Sequence, residues 1–124
     1  MFSSKTDLCK LNYCQDGIII GHIESQMRIF LTGHYEIHPI EVNGRPYFIR
    51  YRQYGSNYGI WWSNGYWFIG PVGNKGQTEG YVRYKTDDYC PHQLIQHDSW
   101  NEWTTQGWIT TQLILHCKYN KLKV

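Results

Sequence analysis

The sequence predicts an all-β domain of about seven or eight chiefly antiparallel strands, a β-sandwich or partly open barrel whose successive hairpins form a meander. Three observations predict it. Asn43-Gly44 and Asn64-Gly65 each sit between apolar runs, and this dipeptide supplies the positive φ angles that a two-residue hairpin turn needs. Aromatic residues make up 17% of the chain and glycines number 12, a combination suited to strands joined by tight turns. No stretch of about twelve residues keeps an apolar period of 3.6, so no long amphipathic helix is expected.

The elements can be read in order. An Asp16-Gly17 turn leads into a strand from Ile18 to Ile23. "MRIFLTGHYEI" extends the pattern in two pieces broken at Gly33. "EVNGRPYFIRYR" holds the first Asn-Gly hairpin. There Tyr47, Ile49 and Tyr51 alternate with Phe48, Arg50 and Arg52, which predicts a core-facing tyrosine side and a solvent-facing arginine side. On the partner strand Tyr35 and Ile37 face inward, and His34, Glu36 and His38 outward. A strict two-residue turn would instead set Glu36 opposite Tyr51. A bulge at His38-Pro39, shifting the parity by one, resolves the conflict.

The second hairpin, "GIWWSNGYWFIG", has a more definite register. With Asn64-Gly65 as the turn, Ser63 faces Tyr66, Trp62 faces Trp67, Trp61 faces Phe68 and Ile60 faces Ile69. One face carries Ile60, Trp62, Trp67 and Ile69 and is the natural core side. The other carries Trp61, Ser63, Tyr66 and Phe68, whose polar tips suit a half-wet surface. After it, "GPVGNKGQTEG" reads as a loop and Tyr81 to Tyr84 as a short strand. The segment from Thr86 to Gly107 is polar, contains Pro91 and has no sustained period, with at most one helical turn between Gln93 and Trp100. "WITTQLILHC" closes the chain as a final strand.

At 124 residues the chain has the length of one domain, here read as residues 1–124 with an N-terminal segment 1–13 and a basic C-terminal tail 118–124. A formal charge of +2, with clustered lysines only at Lys118, Lys121 and Lys123, argues against a nucleic-acid partner. No apolar run approaches the roughly 20 residues that span a bilayer, so no membrane insertion is expected. "MFSSKTDLCK" lacks the apolar stretch of a signal peptide, which fits either a cytosolic product or a mature or excised module. The four cysteines (Cys9, Cys14, Cys90 and Cys117) favour two disulfides, in any of three connectivities, and hence an extracellular location. Free thiols and zinc are the competing readings. Neither Cys9 to Cys14 nor Cys90 to His92 has the spacing of a structural zinc knuckle.

Chemistry-bearing motifs are few. His34, Glu36 and His38 form an H-x-E-x-H pattern. Alternate strand positions lie about 6.5–7 Å apart, so the three could share a metal only on a strongly bent strand, and a solvated polar face is the plainer reading. No metal and no other cofactor is expected. No G-x-S-x-G elbow is present, and "GPVGNKG" lacks the spacing of a phosphate loop. The chain is therefore read as a non-enzyme. The candidate ligand-binding surface is Trp61, Tyr66 and Phe68, with Asn64 at the turn and Arg50 and Arg52 beside them. Trp100, Trp103 and Trp108 are the alternative location.

The ordered set "TGHYEI", "VNGRPYFIRY", "GIWWSNGYWFIGP" and "CPHQLIQHDSWNEW" through "GWITTQLILHC" resembles an aromatic-rich β module that recurs in eukaryotic multidomain and secreted proteins. The resemblance spans roughly Gly17 to Cys117, nearly the whole chain. It implies an adhesion or interaction domain, and a Cys14–Cys117 pair joining first and last strands that lie side by side. Two function classes result. A carbohydrate-binding, lectin-like module would stack sugar rings on the aromatic platform and satisfy hydroxyls with the amide and charged groups. A protein-interaction or structural module would use the same aromatics as the centre of an interface with an arginine rim. Oligomerisation stays open.

Overall fold

The computed structural model of the chain describes residues 14, 16–50, 57–87 and 90–118. Gly17 donates its N–H to the Cys14 carbonyl at 3.0 Å and turns the chain into β1 (Ile18–Ile23). A 3-10 helix, Gln26–Leu31, follows. Next come β2 (Gly33–Ile37), β3 (Phe48–Arg50), β4 (Tyr58–Ser63) and β5 (Tyr66–Pro71), then β6 (Val82–Lys85), β7 (Ser99–Thr104) and β8 (Gly107–Cys117). All neighbours are antiparallel, and β8 pairs with β1, so the meander closes into an eight-stranded barrel. The all-β meander is as predicted, and the barrel is closed rather than partly open. Closure removes the two sheet edges, each a row of unpaired backbone groups.

The interior follows from alternation. β8 buries Thr111, Leu113, Leu115 and Cys117 and exposes the residues between them. Ile18, Ile20, Tyr35, Phe48, Ile60, Trp67, Ile69, Val82 and Trp100 fill the same core. Leu31, from the 3-10 helix after β1, and Leu94, from the 3-10 helix Pro91–Gln96 before β7, are buried at opposite ends of the barrel. The Cys14–Cys117 disulfide spans a sequence separation of 103 and ties the entry of β1 to the end of β8. This is the pair the resemblance implied. Cys90 is disulfide-bonded as well, and Cys9 lies outside the described residues.

Gly17 has φ +114°, and a Cβ placed on it would come within 2.2 Å of the Tyr35 carbonyl oxygen. Gly17→Ala should therefore lower stability by about 2–3 kcal/mol, since both left-handed strain and a backbone clash must be relieved. Chemical denaturation checks this.

Three expectations are corrected. "MRIFL" is a 3-10 helix rather than a strand piece: it caps the barrel with Leu31 and leaves Met27 and Ile29 in solvent. The segment 86–107 is not irregular throughout, because β7 runs through it as half of a hairpin with β8. The faces of β3 are reversed. Ile37 pairs with Phe48, while the Asn43-Gly44 turn closes at Val42 and Arg45. Residues 38–41 thus stand against only 46 and 47, so the excess is two residues, not one, and parity is preserved. Glu36 pairs with Ile49, which places Ile49 outside and turns Phe48 and Arg50 inward. Tyr51 and Arg52 lie outside the described residues.

Candidate functional site

The Asn64-Gly65 hairpin has the expected register, Ser63 to Tyr66 through Ile60 to Ile69. Its Ile60 face lines the barrel as read, although Trp62 is only partly buried. The expectation that fails concerns the other face. Trp61 and Phe68 are 0% exposed. They form a second, smaller core on the outside of the barrel with Tyr47 and Ile49. Its cover is the β5–β6 connection, residues 72–81. The Trp61 indole Nε1 donates to the Gln77 carbonyl at 3.0 Å, and the Ser63 and Thr78 hydroxyls meet at 2.8 Å. Gly80 lies against Phe68, so a Cβ there would come within 3.1 Å of its Cδ1. The half-wet platform is occupied by the chain's own loop, and Asn43 fastens it by donating Nδ2 to the carbonyls of Trp62 (2.8 Å) and Gly76 (3.2 Å).

The other platform residues separate. Asn64 is exposed at the hairpin tip. Arg50 is buried inside, where Nη1 donates to the Phe30 carbonyl at 2.6 Å and to the Thr32 carbonyl, with its guanidinium 4.8 Å from the Tyr58 ring. It anchors the 3-10 helix and offers a ligand nothing. Tyr66 is half-buried beside the Arg83 guanidinium, 4.4 Å from the ring centroid. His34 and Glu36 are exposed on β2, whereas His38 lies beyond the strand and packs on Tyr47 at 5.6 Å. Among the described residues no three His, Cys, Asp or Glu side chains are grouped to hold a metal, and no helix is long and apolar enough to cross a membrane.

An open concavity lies further round the outer surface, between the same loop and the β7–β8 hairpin. It encloses about 440 Å³ and is lined by Asn74, Thr78, Glu79, Gly80, Tyr81, Arg83, Trp103 and Trp108. Trp103 and Trp108 are cross-strand partners flanking a two-residue turn, with ring centroids 5.3 Å apart. Trp103 is 50% exposed, and Trp108 is partly buried against the outer core. Trp100, three residues back on the opposite face, is buried in the barrel and takes no part.

The charges around this cleft are unequally committed. Arg28 donates Nη2 to the Trp103 carbonyl at 2.7 Å, and its Nε is 3.4 Å from Glu102 Oε2. Ser25 donates to the same carboxylate oxygen at 2.7 Å, so the buried Glu102 is partnered from above the barrel mouth. Arg83 is different. Its guanidinium packs on Trp108 at 3.8 Å and on Tyr66, its buried Nε has no hydrogen-bond partner, and no carboxylate among the described residues pairs with it.

The cleft thus combines an exposed indole, an aromatic floor, one amide, two hydroxyls, one carboxylate and one guanidinium. Of these the sequence reading reached Trp103 and Trp108 only as an alternative, and missed Asn74, Thr78, Glu79, Tyr81 and Arg83. "WTTQGW" carried a usable signal: two tryptophans spaced symmetrically about a turn with Gly107 at its end must face each other on one side of a hairpin. Comparison of the chain with protein-family models, with curated proteins and with solved structures finds no match.

Proposed function

We propose that the chain is a non-enzymatic, extracellular carbohydrate-binding module whose ligand sits in the Trp103–Trp108 cleft instead of on the Asn64-Gly65 hairpin. The observation that carries this reading is the half-exposed Trp103 indole on the rim of a concavity with hydrogen-bonding side chains. A pyranose ring has an apolar face that stacks on an indole, while its hydroxyls need both donors and acceptors. Asn74, Thr78, Glu79 and Arg83 supply those. A concave, partly polar site favours a sugar over a flat protein interface, whose centre is apolar and depleted of charge. Extracellular placement is supported by the Cys14–Cys117 disulfide, since such bonds persist in oxidising compartments.

The test is a glycan panel read by tryptophan fluorescence. For whichever sugar binds, Trp103→Ala should weaken affinity by about 1–3 kcal/mol, the scale of a large aromatic contact. Because Trp103 is half in solvent, its thermal midpoint should stay close to that of the parent. A panel in which no glycan binds, with a protein partner captured through the same residues, would favour the interaction-module reading.

A further inference from the structure

We infer, resting on the saccharide reading above, that the cleft takes an acidic saccharide, with its ring on Trp103 and its carboxylate or sulfate on Arg83. Arg83 lines the cleft, yet the fold neither neutralises its charge nor uses its Nε. The two aromatic rings packed on the guanidinium, Trp108 at 3.8 Å and Tyr66 at 4.4 Å, restrict its rotamers before any ligand arrives. What a guanidinium offers a ligand is a planar fork of donors that matches two oxygens of a carboxylate or sulfate. Much of the ordering cost of that contact is already met in the fold.

The other charges nearby do not cancel it. Arg28 is held by Glu102 and the Trp103 carbonyl. Glu79 also lines the cleft but is exposed on the loop, so solvent screens it, and it forms no ion pair among the described residues. Lys85, across from Tyr66 in the β5–β6 register, is exposed and adds positive charge on the same side. An acidic sugar therefore meets a ring-packed cation and, at the edge, a solvent-exposed anion.

Calorimetric titration of the unaltered protein separates the alternatives. The probes are a uronic-acid hexasaccharide, the same hexasaccharide with its carboxylates reduced to alcohols, and a neutral-backbone hexasaccharide carrying sulfate esters. The anionic probes should bind at least about tenfold more tightly than the reduced one, the value of a charge-assisted hydrogen bond. That gap should shrink as salt is raised. Arg83→Gln should abolish the preference, with circular dichroism and a melting curve establishing that the barrel persists. Glu36→Gln, exposed on β2 and not part of the cleft lining, should leave the anionic probes bound as before. Preference for one anionic probe over the other assigns the anion.

Binding of both anionic probes no tighter than that of the reduced probe would overturn the acidic assignment while leaving a saccharide cleft. An undiminished preference for the anionic probes in Arg83→Gln would overturn it too. Failure of every saccharide, neutral or acidic, would overturn the function proposed above together with this inference.

Discussion

Trp61→Ala should destabilise the protein by about 3–5 kcal/mol, the range for removing a fully buried large aromatic, and by clearly more than Trp62→Ala. The two tryptophans are neighbours on β4 and point to opposite faces. Sequence logic assigns the greater cost to Trp62, because its face carries the aliphatic residues. Burial reverses the order. Trp61 is wholly enclosed between the outer surface of the barrel and the loop 72–81, and its indole N–H is satisfied by the Gln77 carbonyl. Truncation would open a cavity beside Phe68 and Gly70, where even an added Cβ would come within 3.3 Å of the Trp61 ring, and would orphan a carbonyl in the covering loop. Trp62 is only partly buried, carries the Arg45 guanidinium 3.6 Å above its ring, and leaves a buried Nε1 without a hydrogen-bond partner. Removing it loses a cation–π contact and some apolar area but also disposes of an unsatisfied donor. Urea unfolding of the two variants decides. An equal loss would mean that the loop does not seal the outer core.

That reversal shows where sequence stops being informative. The pairing of Ser63 with Tyr66, and of Ile60 with Ile69, is a local consequence of Asn64 at φ +51° and Gly65 at φ +91°, and the dipeptide announces it. The barrel face of that hairpin follows from alternation alone. The cover over Trp61 does not, because a loop without period provides it, partly through a backbone carbonyl that no side-chain pattern encodes. The β3 faces were misread for a related reason. A bend at His38-Pro39 was legible, but its length was not, and only the parity of the excess decides which side Arg50 takes. β7 escaped detection because Glu102 occupies an inward position in "SWNEWT". The partners that permit a carboxylate there, Ser25 and Arg28, lie more than seventy residues earlier. The cleft draws on a loop and three strands, so its composition is visible in the sequence while its convergence is not.

Converting both Cys14 and Cys117 to serine should cost about 4–5 kcal/mol, because releasing a crosslink across a loop of about 100 residues restores that much entropy to the unfolded chain. A barrel makes this crosslink more consequential than one within a hairpin. Every other strand pair joins sequence neighbours, whereas β1 and β8 must meet from the two ends of the described chain. The disulfide sits beside the first pair of that seam, Ile18 with Cys117. With the tether intact, closure resembles pairing two strands that are already neighbours. Without it, the closing step carries the full loop entropy and the highest sequence separation in the fold. Refolding should therefore slow in the double serine variant. The substitution is preferable to chemical reduction because Cys90 is also disulfide-bonded, and a reductant would act on both bonds. Equilibrium denaturation and stopped-flow refolding, each followed by tryptophan fluorescence, give the two quantities. A loss below about 1 kcal/mol would mean that the β1–β8 hydrogen bonds and the buried Ile18, Ile20, Leu113 and Leu115 hold the seam unaided, with the disulfide acting mainly on a denatured state that is already compact.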